Sequence, residues 1–154
     1  MKNFKLSKFI LCLLIPTLFG GISGFFNQNS VELYEKLVLP DFAPPSFVFP
    51  LVWTFLYTFM GIGLYLILEK RNHKLAVTSF YIQLTSNFIW PFVFFKFHLI
   101  VPGFYLHMFL LLAVIWMTFN FFRLNKFAGI LQIPYIIWLS FAGYLNYYIV
   151  LLNA

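Results

Sequence analysis

The chain has 154 residues, of which 62% are hydrophobic, 23% aromatic and only 9% charged, too apolar to clothe a soluble domain. Its net charge of +6 does not mark a nucleic-acid partner, because the basic residues flank apolar runs and form no stripe with base-stacking aromatics. Cys12 is the lone cysteine, which rules out an internal disulfide or a thiolate metal site and leaves the composition of an integral membrane protein.

A spanning helix needs about 20 mostly apolar residues, and the charges fall between runs of that length at roughly 5–26, 46–68, 76–98, 102–122 and 129–151. The expectation is a single all-α domain over 1–154, a five-transmembrane-helix bundle with one long loop at 27–45. Open strands are excluded because lipid offers the backbone no hydrogen-bond partners, and the alternation of a barrel is missing.

The first run, "MKNFKLSKFILCLLIP", starts like a signal peptide, yet no A-x-A-like cleavage site follows and the apolar stretch continues, so a retained helix is expected. Gly20 and Gly24 give it a GxxxG spacing that would let another helix approach closely. The 27–45 loop carries Tyr34, three of the four acidic residues and the turn "LPDFAPP", where Pro44 and Pro45 fix an extended backbone.

In the second span, "FVFPLVWTFLY" places Phe49, Trp53 and Tyr57 on one side. Trp53 lies roughly 10 Å below the outer end at about 1.5 Å per residue, and Trp90 of the third span about 12 Å below it. Both are too deep for a headgroup belt, which suits Trp116 of the fourth span. In the third span Gln83, Asn87, Trp90 and Phe94 share a stripe about 60° wide. Buried amides are costly in lipid, so that stripe faces protein or a cavity. The fifth span repeats the pattern: in "PYIIWLSFAGYLNYY", Tyr135, Trp138, Ala142, Leu145 and Asn146 fall together while Tyr144 lies opposite. Pro50, Pro91 and Pro134 can kink their spans and open the bundle. The stripes describe an aromatic-lined pocket beneath the 27–45 lid, suited to an apolar ligand with a few polar handles. Close packing of aromatics with interhelical hydrogen bonds is the alternative.

Lys2, Lys5, Lys8, Lys70, Arg71, Lys74, Arg123 and Lys126 sit at one set of span ends, against Lys36 and Lys96 at the other. The positive-inside rule then places the amino terminus in the cytoplasm and, after five crossings, the carboxyl terminus outside. Without a targeting extension, a bacterial cytoplasmic membrane is the expected location.

These residues carry a resemblance to the translocator protein or tryptophan-rich sensory protein (TspO/MBR) family, as a bacterial-type member. It rests on "LYEKLVLPDFAPPSFVFPLVWTFLY", "QLTSNFIWPFVFF" and "PYIIWLSFAGYLNYY", and on the span number and long first loop. The resemblance implies a cavity under the first loop, commonly a homodimer, and binding of protoporphyrin IX, haem-like tetrapyrroles and synthetic ligands, with sterols in some members. Carried across by motif, the ligand-binding residues would be Tyr34, Phe49, Trp53, Tyr57, Asn87, Trp90, Trp138, Ala142 and Leu145. Leu39 and Phe42 replace the Lys and Trp common in the family's lid, and Pro91 replaces a common serine. After "YLNYY" comes "IVLLNA", without the basic residue that completes a cholesterol-recognition pattern.

The expected function is thus a membrane receptor or sensor for tetrapyrroles, with no required cofactor and no metal. No Ser, His and Asp stand together in sequence for nucleophilic chemistry, and His73, His98 and His107 lack the spacing of a helical metal pair. The resemblance implies two alternatives. One is light- and oxygen-dependent degradation of protoporphyrin, with Trp53 and Trp138 as redox partners of the excited ligand. The other is transport, against which stand the missing inverted repeat and the lack of an intramembrane carboxylate.

Overall fold

The computed structural model describes residues 5–154, and among them every regular element is helical. Lys2, counted in the basic bias, lies outside the described residues. In chain order the elements are α1 (Leu6–Phe26), α2 (Ser30–Lys36), α3 (Val48–Leu68), α4 (Lys74–Pro91), a π-helical turn (Phe92–Lys96), α5 (Ile100–Leu124), α6 (Lys126–Ile130) and α7 (Ile133–Asn153).

Four segments are long and apolar enough to cross a membrane: α1, α3, α5, and α6 with α7 taken together. Five were expected, and the count is corrected on that measure at α4. That helix is only 18 residues long, and Ser79, Gln83, Ser86 and Asn87 within it are buried inside the bundle. Their polarity serves the interior and lowers the apolar content that lipid exposure requires. The third expected span, 76–98, is also broken after Pro91, where the α-helix widens into the π turn. A proline removes one backbone donor and crowds the preceding turn, which the wider winding accommodates.

Pro50 and Pro134 do not kink their spans. Pro134 occupies the first turn of α7 and Pro50 that of α3, where a missing N–H costs nothing. Two short helices were unforeseen: α2 inside the lid, and α6, which Asn125 caps by accepting from the Phe127 and Ala128 N–H groups at 3.0 and 3.2 Å.

The helices form a ring in which α1 packs on α3 and α4, α4 on α5, and α5 on α7, while α6 closes against α3 the inner end, meaning the end away from the 27–45 segment. Lipid is as apolar as a leucine side chain, so close packing rather than hydrophobic burial holds such helices together. The closest approach of two helix backbones at a glycine is at Gly61, where a Cβ would lie 2.7 Å from the Leu13 Cα. Of the GxxxG pair only Gly20 makes room for another helix, and it does so for a side chain. A Cβ on Gly20 would strike the Tyr57 ring at 2.1 Å, and one on Gly24 would meet nothing within 4 Å. At the inner end Lys8 Nζ donates to Glu69 Oε1 at 2.6 Å and to the Leu68 carbonyl at 3.2 Å, tying α1 to α3.

The inner half is solid, with Met60, Leu64, Phe80, Leu84, Val114, Met117, Phe121 and Leu139 almost wholly buried. The outside is apolar as well: Leu11, Leu18, Phe55, Leu112, Phe119 and Ile137 are all more than half exposed, a surface that only a lipid bilayer suits. Trp116 is on that surface. The outer half of the ring is hollow.

Candidate functional site

The hollow is a cavity of about 500 Å³ beneath the lid. Its floor is formed by Tyr57 and Asn87, the upper members of a line of hydrogen bonds that runs down into the bundle. The Tyr57 hydroxyl donates to Asn87 Oδ1 at 2.9 Å, Asn87 Nδ2 donates to the Tyr135 hydroxyl at 2.8 Å, and Tyr135 donates to Gln83 Oε1 at 3.1 Å. Each group satisfies the next, so four polar side chains are carried deep in the bundle without a stranded donor or acceptor between them.

Aromatic walls rise from this floor. Trp53 stacks on Tyr57 with ring centroids 5.4 Å apart and stands edge-on to Tyr135 at 5.8 Å. Across from it, Trp138 meets Phe49 edge-on at 5.7 Å. Trp90 stacks on Phe94 at 5.0 Å and faces His107 at 5.8 Å, and its indole Nε1–H donates to the Gly103 carbonyl at 3.0 Å. That bond needs Gly103, where a Cβ would sit 2.7 Å from the Phe94 ring. His107 Nε2 is 2.8 Å from the Leu139 carbonyl, so Nε2 carries the proton and Nδ1 is left as an acceptor in the neutral ring. No described residue accepts from the indole N–H of Trp53 or Trp138, and both rings border the cavity.

The roof is the lid. Tyr34 packs edge-on against Phe49 at 5.1 Å and donates to the Pro44 carbonyl at 3.1 Å. Burial pushes its phenol above the ordinary value of 10, so it stays a protonated donor across the physiological range. Two further ties hold the lid over α7. Asn153 accepts from the Val38 N–H and donates to the Val38 carbonyl, both at 2.9 Å. Phe42 stacks on Tyr144 at 5.1 Å and meets Tyr148 edge-on at 5.3 Å.

The structure brings eight of the nine expected residues to one cavity wall: Tyr34 from the lid, Phe49, Trp53 and Tyr57 from α3, Asn87 and Trp90 from α4, and Trp138 and Ala142 from α7. Leu145 is the exception. It is 3% exposed and packs with Tyr34, Phe94 and Ile149 in a small cluster under the lid, outside the lining. A stripe gives the face of a helix, but it does not say that Leu145 on that face is covered by its contacts in the cluster with Tyr34, Phe94 and Ile149.

Sequence reasoning missed the contribution of α1, whose Gly20, Ser23 and Gly24 line the cavity with the residue that ends the helix, Asn27, and that of Leu110, which lines it beside His107 on α5. The signal was the run of small residues "GGISG", which beyond the Gly20–Tyr57 contact makes room for the cavity. Lys36 and Lys96, the two basic residues at the span ends nearest the lid, do not line the cavity. Lys36 pairs with Glu32, and Lys96 lies over the Phe26 and Phe92 rings at 5.9 and 5.6 Å. The lining therefore carries no formal charge. Such a site can stack flat apolar rings and offer them a few hydrogen bonds.

This geometry agrees with comparisons to known proteins. The TspO/MBR family profile matches residues 12–152. The chain is 35% identical to tryptophan-rich protein TspO of Chlorobaculum tepidum over 147 residues, covering 93% of this chain and 91% of that protein. It is 34% identical to tryptophan-rich protein TspO of Archaeoglobus fulgidus, with 96% and 97% covered, and 31% identical to the translocator protein of Homo sapiens, with 81% and 77% covered. With nearly its whole length matched, the helical membrane chain described here belongs to the TspO/MBR family.

Proposed function

We propose that the protein is an integral membrane receptor or sensor that binds tetrapyrroles, such as protoporphyrin IX or a haem-like macrocycle, and related flat apolar ligands in the cavity under the lid. The observation that carries this reading is the uncharged lining of about 500 Å³ with Trp53, Trp90 and Trp138 on its walls, within the size range of small-molecule sites. A porphyrin presents a broad π face, which indoles stack on, while its carboxylates stay toward the lid.

The wider reading is that of one bundle with five crossings. Helix α4 at about 1.5 Å per residue spans roughly 27 Å, and the π turn extends it to the outer surface. Its two ends lie where α3 finishes and α5 begins, which supports a crossing. The bias of basic residues to one set of ends supports an amino terminus in the cytoplasm and a carboxyl terminus outside, and the family resemblance supports a bacterial cytoplasmic membrane and a homodimer.

The test is a dark titration of purified protein with protoporphyrin IX, followed by tryptophan quenching and the porphyrin absorption band, for the parent and Ala142→Phe. Ala142 is partly buried on the cavity wall, so a phenyl ring there occupies ligand space. Saturable binding weakened at least about tenfold in the variant supports the reading, a loss of about 1.4 kcal/mol. No binding, or equal binding by both, refutes it.

A further inference from the structure

The cavity is open on one side only. Its exposed lining residues are Thr17, Gly21 and Gly24 of α1, Val31 of α2, and Pro50 and Thr54 of α3, while every lining residue of α4, α5 and α7 is buried or partly buried. The α3–α7 side is shut by the Phe49–Trp138 and Trp53–Tyr135 contacts, and the top by the lid. The gap begins where Tyr57 fills the notch at Gly20. Above that contact α1 and α3 part, and Gly21 and Gly24 stand beside empty space.

What lies outside the gap is lipid. Leu14, Leu18, Phe25, Leu51 and Phe55 flank it and are between 43% and 66% exposed. Its polar edges are already satisfied, since the Thr17 and Thr54 hydroxyls donate to the Leu13 and Pro50 carbonyls at 2.7 and 2.8 Å, so the frame presents no unmet donor to hydrocarbon. Asn27, one turn beyond Gly24 and 6% exposed, lines the same cavity. Its Nδ2 donates to the Ser23 carbonyl at 2.8 Å, which leaves Oδ1 as the acceptor, buried and without a partner. A buried unpaired acceptor is destabilising unless something supplies a donor.

We propose that the gap between the outer halves of α1 and α3 is a lipid-side portal, through which bilayer-dissolved lipophiles bearing an O–H or N–H donor reach the cavity and are met by Asn27 Oδ1. This rests on the cavity being a ligand site, though not on a tetrapyrrole being the ligand. Access then runs through the membrane and leaves the lid closed.

The test uses protein reconstituted in phosphatidylcholine with brominated acyl chains, in a Trp116→Phe background that removes the lipid-exposed indole. The chain itself is the probe: bromine quenches tryptophan at short range, so it reports whether hydrocarbon reaches the cavity. Gly21→Phe with Gly24→Phe fills the gap, and both side chains start into open space, since a Cβ at either position meets nothing within 4 Å. Gly24→Ala is the control that leaves the gap open. We expect quenching to fall at least about twofold in the filled variant and to stay at the parent level in the control; equal quenching in all three overturns the portal.

The donor requirement is read by energy transfer from tryptophan to pyrenylmethanol and to its methyl ether, two lipophiles that differ in one hydroxyl proton. The parent should take up the alcohol in preference to the ether, and Asn27→Leu should lose that preference; equal uptake by the parent overturns the role of Asn27. Neither arm contains a porphyrin, so a failed protoporphyrin titration and a failed portal are separate results.

Discussion

Asn87 is held from both sides, and that sets how much a single hydroxyl matters at the cavity floor. Its Oδ1 accepts from Tyr57 and its Nδ2 donates to Tyr135. Removing the phenolic oxygen strands a buried acceptor, whose cost exceeds the net value of the bond. Tyr57→Phe should lower stability by about 1 kcal/mol, a magnitude in keeping with hydrogen bonds between membrane helices. Thermal melting in detergent measures it, with Tyr144→Phe as reference. Tyr144 bonds Tyr148 at 3.1 Å on the exposed face, so its change should be near zero. The sequence already put Gln83, Asn87 and Trp90 on one stripe and Tyr135 with Trp138 on another. It could not say that Gln83 and Tyr135 lie below the floor, because periodicity gives a direction around a helix and no distance from a cavity.

The glycines set the spacing between helices, and two of them on the α1–α3 seam should behave in opposite ways. A methyl group at Gly61 would press on the backbone of Leu13, which cannot rotate aside, whereas one at Gly24 enters open space. Gly61→Ala should destabilise by about 1–3 kcal/mol through overpacking. Gly24→Ala should be neutral or slightly stabilising, because alanine is the better helix former. Parallel melts of the two variants decide the point, and an equal loss in both would mean that the seam is packed along its whole length. Composition and hydropathy made the long helices legible. The short helices α2 and α6 were not, since a segment of five or seven residues leaves no period to read and depends on local caps such as Asn125. The widening after Pro91 was visible only as a proline, whose effect depends on what neighbouring helices permit.

Across the whole molecule, the roof of the cavity is fastened by the far end of the chain. Asn153, in the last turn of α7, pairs its amide with both backbone groups of Val38, as one strand would pair with another. The two residues are 115 apart in sequence, and nothing in either local sequence announces the pairing. Asn153→Ala leaves the cavity walls untouched and frees the lid from α7. Because a loosened lid adds a second exit besides the gap between α1 and α3, dissociation of bound protoporphyrin IX should accelerate about tenfold, a change that belongs to the off-rate as most affinity changes do. Stopped-flow recovery of tryptophan fluorescence measures it; an unchanged rate would show that Phe42 and Tyr34 hold the lid unaided.

The one-sided opening of the cavity changes what an affinity for this protein means. A site that faces hydrocarbon equilibrates with the ligand dissolved in the bilayer, so the free energy of moving the ligand from water into lipid is already spent before the protein is met. Two ligands with equal contacts inside the cavity will then differ in apparent potency by the ratio of their partition coefficients, at about 0.8 kcal/mol per added methylene. Binding constants referred to aqueous concentration will shift with the amount of lipid in the assay, and those referred to concentration in the membrane will stay fixed.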